Sequence, residues 1–400
     1  MELKTKYQYT YFIYPYEIEE KQYENYILKL LSNSKCRLKI YEEEKNIDIY
    51  SYFLEDTKKF FFPSFYYDKQ KIKRIQKQSP KEKAKMLSKE SCITIEYNIG
   101  QNVQGKMGEQ NGIFFKIDKI EIICFSTGIC FLCIKTHLED SENFGDILNF
   151  NYKFRDINLG SFNLKEYDNI KIQTDIFNDM TEIKELISEI IGNRREMGRF
   201  YTYSYACIDS ENWNNEIENI ETDFLKYSYV LPNSYDARFN DQNRLRVISE
   251  RKYVKMGITK QSSCLLASNI DTINYTKLPF SYENKYLYTN IIALYQKEYL
   301  KKTIKELKSG KLANKLNEFS KFVWQEEVTT DSTGELLYKN WLEELEIEKI
   351  YTDTRNNFDV LYRKLNIEKN KKANKILVCI LGISLILNIV NLLTIILLCK

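Results

Sequence analysis

The chain has 400 residues, 59 Lys and Arg against 56 Asp and Glu, a net charge of +3 and a mean hydropathy of −0.47. With 13 Gly and 5 Pro it is neither collagen-like nor Gly/Pro-rich, and 31 Tyr with 22 Phe exclude a largely disordered chain. A single histidine removes most hydrolase triads and most His-based zinc centres, so the chain is expected not to be an enzyme.

The first part reads as mixed α/β, an α+β body over residues 1–275. Tyr9–Tyr14 has the composition of a strand, and Glu19–Leu31 has helical spacing. Ser91–Ile99 alternates as a strand. Gly112–Leu138 is the strongest β signal, two apolar runs around Ser126-Thr127-Gly128, which predicts a hairpin. Phe177–Ile191 is expected to be helical, Phe200–Ile208 a strand and Asn212–Tyr227 a helix. Residues 228–275 read as irregular with some β character.

From Tyr282 the pattern turns helical, and residues 282–328 are expected to form antiparallel helices. Ser332-Thr333-Gly334-Glu335 has the form of a capping box, with Ser332 as cap. Beyond it Glu335–Leu398 reads as one nearly continuous helix, roughly 96 Å at the usual rise per residue. Residues 332–375 would be a stalk. Ile347, Tyr351, Thr354, Phe358, Leu361 and Leu365 make a heptad-like seam, suited either to parallel stalks or to packing against helices of the same chain.

Ile376–Cys399 carries no charge over 24 residues, where about 20 suffice to cross a bilayer, so a transmembrane helix is expected. Residues 363–375 hold six basic residues against Glu368, a net +5, while only Lys400 follows the span. The positive-inside rule then places the large N-terminal part in the cytoplasm, in a single-pass protein of the cell membrane with its C-terminus on the far side. Nine cysteines, odd in number and scattered, are expected to be free thiols in a reducing compartment. Ser384, Asn388, Asn391 and Thr394 share an arc of about 120°, a polar stripe that lines a pore or holds an oligomer together.

Other constellations are weaker. Cys130, Cys133 and His137 resemble half a zinc knuckle, but alternation along a strand sends the two cysteines to opposite faces. Residues 69–85 hold eight basic residues against Glu82, a solvated insert or a patch for nucleic acid, phosphorylated ligand or anionic lipid; the solvated insert is preferred, and nucleic acid is not the expected partner. Arg155, Arg194, Arg195, Arg199, Arg244 and Arg246 are candidates for an anionic ligand, since guanidinium forks suit phosphate. No spacing marks a P-loop, a dinucleotide fold or a zincin.

YLYTNIIALYQKEYLKKTIKEL (286–307), TRNNFDVLYRKLNIEKNKKANK (354–375) and the strand pair ending in FLCIKT (131–136) make the order of parts resemble the CorA-type magnesium transporter superfamily. The Gly-Met-Asn signature and a second membrane helix are missing, so the family's magnesium-binding loop does not carry over. The resemblance implies a homo-oligomer in the lipid bilayer whose cytoplasmic domain gates a pore or perturbs the membrane, with a divalent cation as permeant ion and no certain cofactor. Relatives of that family that act as membrane effectors of antiviral defence imply a nucleotide-type ligand. The alternative is a tail-anchored, non-conducting scaffold that presents its cytoplasmic domain to partners.

Overall fold

A computed structural model describes residues 3–100, 104–107, 112–139, 142–155, 170–173, 181–192, 199–209, 213, 217–236, 245–307 and 323–398. The chain divides into two compact units, Met1–Tyr299 with Phe322–Ile347, and Leu300–Lys321 with Glu348–Lys400.

The first unit is built on one sheet. Its strands are β1 (Lys4–Glu17), β2 (Cys36–Lys39), β3 (Cys92–Tyr97), β4 (Gln104–Met107), β5 (Ile113–Phe125), β6 (Ile129–Leu138), β7 (Ile170–Gln173), β8 (Thr181–Glu182), β9 (Tyr201–Asp209), β10 (Arg246–Ile248), β11 (Val254–Thr259) and β12 (Ser262–Ser268). Among the described residues they run β10-β11-β12-β9-β1-β6-β5-β4-β7-β8, with β3 also on β5 and β2 on β3. β12 lies parallel to β9, and the other neighbours are antiparallel.

The central strands are apolar on both sides because both faces are covered. Ile129–Ile134 of β6 is at most 2% exposed at every position, an unbroken run rather than an alternating one. On one face Phe12, Ile95, Ile122 and Leu132 share a core with Ile27 of helix Tyr23–Ser32, Leu148 of Phe144–Phe154 and Ile187 of Ile183–Ile191. The other face is rich in tyrosine. Tyr203 stacks on Tyr282 at 4.2 Å and donates its hydroxyl to the Tyr282 carbonyl at 2.8 Å. Phe125 stacks on Tyr295 of helix Leu287–Leu307 at 3.9 Å. The rings supply the apolar area, and the hydroxyls of Tyr9, Tyr203 and Tyr205 donate to the carbonyls of Pro279, Tyr282 and Asn274 in the covering layer.

The β5–β6 hairpin turns at Gly128, whose φ of +80° belongs to the left-handed region that favours glycine. Three differences from the expectation are physical. Residues 246–268 are not irregular: they carry β10, β11 and β12, pinned by the parallel pairing with β9. The basic segment is not a solvated insert but two helices, Lys69–Lys77 and Pro80–Leu87, which bury Ile75, Ala84 and Leu87, the second opened by a Ser79–Glu82 capping box. The helix after 331 is capped by Asp331, which accepts from the Gly334 N–H at 2.8 Å, not by Ser332. That helix ends at Glu344, and a break at Leu345-Glu346, with Glu346 at φ +56°, precedes Ile347–Leu398.

In the second unit, helix Ile347–Leu398 continues without interruption, about 78 Å by its 52 residues. Thr354 is buried and returns its hydroxyl to the Ile350 carbonyl at 2.5 Å, and Tyr351 is half-buried. The side chains of Phe358, Leu361 and Leu365 lie outside the described residues, as do those of Asn388, Asn391 and Thr394 and the backbone of residues 308–322. Ile376, Leu377, Val378, Ile380, Leu381 and Ile383 are each 59–67% exposed. Among the described residues no helix is long and apolar enough to cross a membrane; the side chains of residues 385–399 lie outside those described.

Candidate functional site

A cavity of about 1230 Å³ in the first unit opens at the end of the sheet where β1, β6 and β5 meet. Two strands that pass it are bulged. The β1–β9 register shifts between Thr5 and Tyr7, and the β5–β6 register between Ile117 and Lys119. The extra residues are Lys6 and Asp118, and both line the cavity. A bulge adds one residue to one strand and re-aims its side chain, and bulges gather beside functional sites.

On β6, alternation puts Lys135 and His137 on one face. His137 Nδ1 lies 2.8 Å from Asp118 Oδ1, with the two side chains 34% and 31% exposed. A carboxylate at Nδ1 fixes the tautomer with the proton on that nitrogen and leaves Nε2 as an acceptor. Lys135 Nζ is held 2.7 Å from Glu283 Oε2, and Glu283 Oε1 accepts from the Tyr11 hydroxyl at 2.6 Å. The same ammonium sits 4.8 Å from the Tyr9 ring centroid. Lys6 lies 4.6 Å over the Tyr275 ring. Burial pushes the Tyr7 hydroxyl above its ordinary value; Lys135 pulls it back, and Glu283 and Asp118 push it further. Three lysines and His137 share the lining with four carboxylates, so the cavity suits a small ligand with both anionic and hydrogen-bond-donating groups.

No known family model, curated protein or solved structure matches this chain.

The candidate arginines do not assemble one site among the described residues. Arg155 is 5% exposed and donates from Nη1 to the Tyr229 carbonyl at 3.3 Å. Arg246 reaches Asn340 Oδ1 at 3.0 Å and pairs with Glu343, fastening β10 to helix Ser332–Glu344. Arg199 is exposed, and Arg194, Arg195 and Arg244 lie outside the described residues. Cys130 and Cys133 are buried, Cys130 in the core with Leu132 and Cys133 level with Glu121 and Ile13. Among the described residues no cluster of three or more His, Cys, Asp or Glu could hold a metal, and eight cysteines are free thiols.

Asp118 did leave a trace in the sequence. The β5 residues that join the core on one face fall at 115, 117, 120, 122 and 124, so the period of two slips by one residue at Asp118. That slip is the sequence mark of a bulge.

Proposed function

We propose that this chain is a CorA-like, membrane-anchored sensor: its α/β body binds a small signal in the cavity beside His137, and its last helix holds it in the bilayer as a homo-oligomer. The observation that carries the reading is the stretch after Lys375. Every large apolar side chain described there, Ile376 to Ile383, is about 60% exposed, on a helix that runs unbroken to Leu398. An apolar stretch exposed as residues 376–383 are has no favourable place in water, whereas lipid removes the cost. The +5 collar of residues 363–375 orients the body to the cytoplasmic side.

The ammonium groups of Lys4, Lys6 and Lys135 supply the attraction for an anionic group, and the carboxylates with His137 Nε2 supply acceptors for a donor-bearing ring. A nucleotide carries both. Association through the stripe of Ser384, Asn388, Asn391 and Thr394 satisfies amide groups that a lone helix would expose to hydrocarbon. The test is reconstitution in liposomes with ion flux followed as nucleoside oligophosphates are added. Flux that rises with nucleotide and is lost in Lys6→Glu with Lys135→Glu supports the reading. Vesicles that never conduct favour the non-conducting scaffold.

A further inference from the structure

We infer that the open edge of β2 is a docking site for an extended acidic peptide, which would join the sheet as an added strand. β2 pairs with β3 alone among the described strands, so its other edge carries no ladder. The phase of that pairing is fixed by the Asn98 N–H, which donates to the Lys35 carbonyl at 2.7 Å. Lys35, Arg37 and Lys39 therefore turn their backbone groups toward β3, and Cys36 and Leu38 turn theirs outward. The Cys36 N–H is used by the Asn33 carbonyl at 2.9 Å. The Cys36 carbonyl and both backbone groups of Leu38 remain aimed at the edge.

That edge faces a groove of about 660 Å³. Helix Lys69–Lys77 contributes Ile72 and Gln76 to it, and Leu31 and Leu38 add apolar surface. The basic segment forms part of its wall: residues 69–85 carry eight cations and one carboxylate; in the groove itself Lys39 pairs with Glu96 and Lys45 with Glu42, and Lys83 and Arg37 are the cations in excess. Lys71 pairs with Glu90, but no ion pair engages Arg37, Lys73 or Lys83 among the described residues. An unpaired edge beside an apolar floor gives affinity through main-chain hydrogen bonds, and the cations select acidic side chains. A polyphosphate or a lipid headgroup would use the charges and leave the Leu38 backbone unused.

The experiment uses the full chain in detergent micelles and a fluorescein-labelled octapeptide of alternating Val and Glu, read by anisotropy. A second probe is the same peptide N-methylated along one edge, which keeps the charge and removes the strand donors. Binding is expected for the first probe and a loss of about tenfold or more for the second. Leu38→Pro removes the outward N–H without touching a β2–β3 bond, and Leu38→Ala loses the same side-chain contacts with groove and core while keeping that N–H; Leu38→Pro is expected to bind the first probe about three- to tenfold more weakly than Leu38→Ala. Arg37→Glu with Lys83→Glu should abolish binding. Equal binding of both probes, or tighter binding of an oligothymidylate or of anionic vesicles than of the peptide, would overturn the proposal. So would no binding of either peptide, as expected if the lysines only shield the edge. The outcome is separable from the sensor reading, which concerns a different cavity and is read by flux.

Discussion

His137 Nδ1 stands 2.8 Å from Asp118 Oδ1, and Asp118 is the residue that β5 gains at its bulge. The single imidazole of the chain is thus oriented by a carboxylate that a regular strand would not offer. It is also a unique spectroscopic reporter, since the sequence has one histidine. Nitrogen-15 NMR of the imidazole should show the Nδ1–H tautomer in the native chain. Asp118→Asn should shift the balance toward Nε2–H, and nucleotide should perturb the same signal. An imidazole blind to Asp118→Asn would remove the pair.

Glu121 is 1% exposed, with Lys39 at 2.6 Å and Lys119 at 3.1 Å from Oε1. Burial pushes its carboxyl up, but Lys119 and Lys39 together hold it below the ordinary carboxylate value. A depressed folded value means a stabilisation present in full above the unfolded pKa, about 4.3, and lost as pH falls through the lower folded value. Glu121→Gln leaves Lys39 charged and largely buried, at a cost of about 3–5 kcal/mol at neutral pH. Urea midpoints should therefore differ strongly at pH 7 and converge toward acid pH. A gap between the two proteins that is constant with pH would contradict the assignment.

Gly334 lies in the first turn of helix Ser332–Glu344, where propensity alone favours alanine by about 1 kcal/mol. An added Cβ would overlap the Tyr52 hydroxyl and lie 2.8 Å from Tyr52 Cζ and 2.9 Å from Thr329 Cγ2. Tyr52 cannot simply swing away. Its hydroxyl bonds Thr289 at 3.2 Å and its carbonyl accepts from Thr329 Oγ1 at 2.5 Å. Gly334→Ala is expected to destabilise by about 1–3 kcal/mol, opposite in sign to the propensity. A calorimetric melt settles it; a raised melting temperature would show that the packing yields.

The fold was legible where a pattern was long and local. The hairpin of β5 and β6 was written in two apolar runs and the Gly128 turn. Pairings between distant segments left weaker marks. β12 is SSCLLAS, small and short, and its place is decided by β9, more than fifty residues earlier. The stop at Glu346 has no Gly or Pro to announce it. A charged residue in the left-handed region is held there by the Glu346 N–H to the Glu343 carbonyl at 3.0 Å and by Lys260 Nζ at 2.6 Å. The cavity was missed because its parts come from four segments of chain and its two decisive residues are bulges, visible only as slips in alternation.

The stripe of Ser384, Asn388, Asn391 and Thr394 predicts self-association. Asn388→Leu with Asn391→Leu should lower the oligomer measured by detergent-corrected light scattering and abolish flux in liposomes. Each interhelical bond removed is worth about 0.6 kcal/mol on average. An unchanged mass and unchanged flux would separate the stripe from assembly.

Membrane anchoring by residues 376–398 is the claim on which the rest stands, and alkaline carbonate extraction of vesicles bearing the full chain tests it most directly. The native chain should remain with the lipid. Leu381→Lys with Leu387→Lys, each costing about 2.5–3.5 kcal/mol at the centre of a span, should be released. A native chain that leaves with the carbonate supernatant would contradict the account.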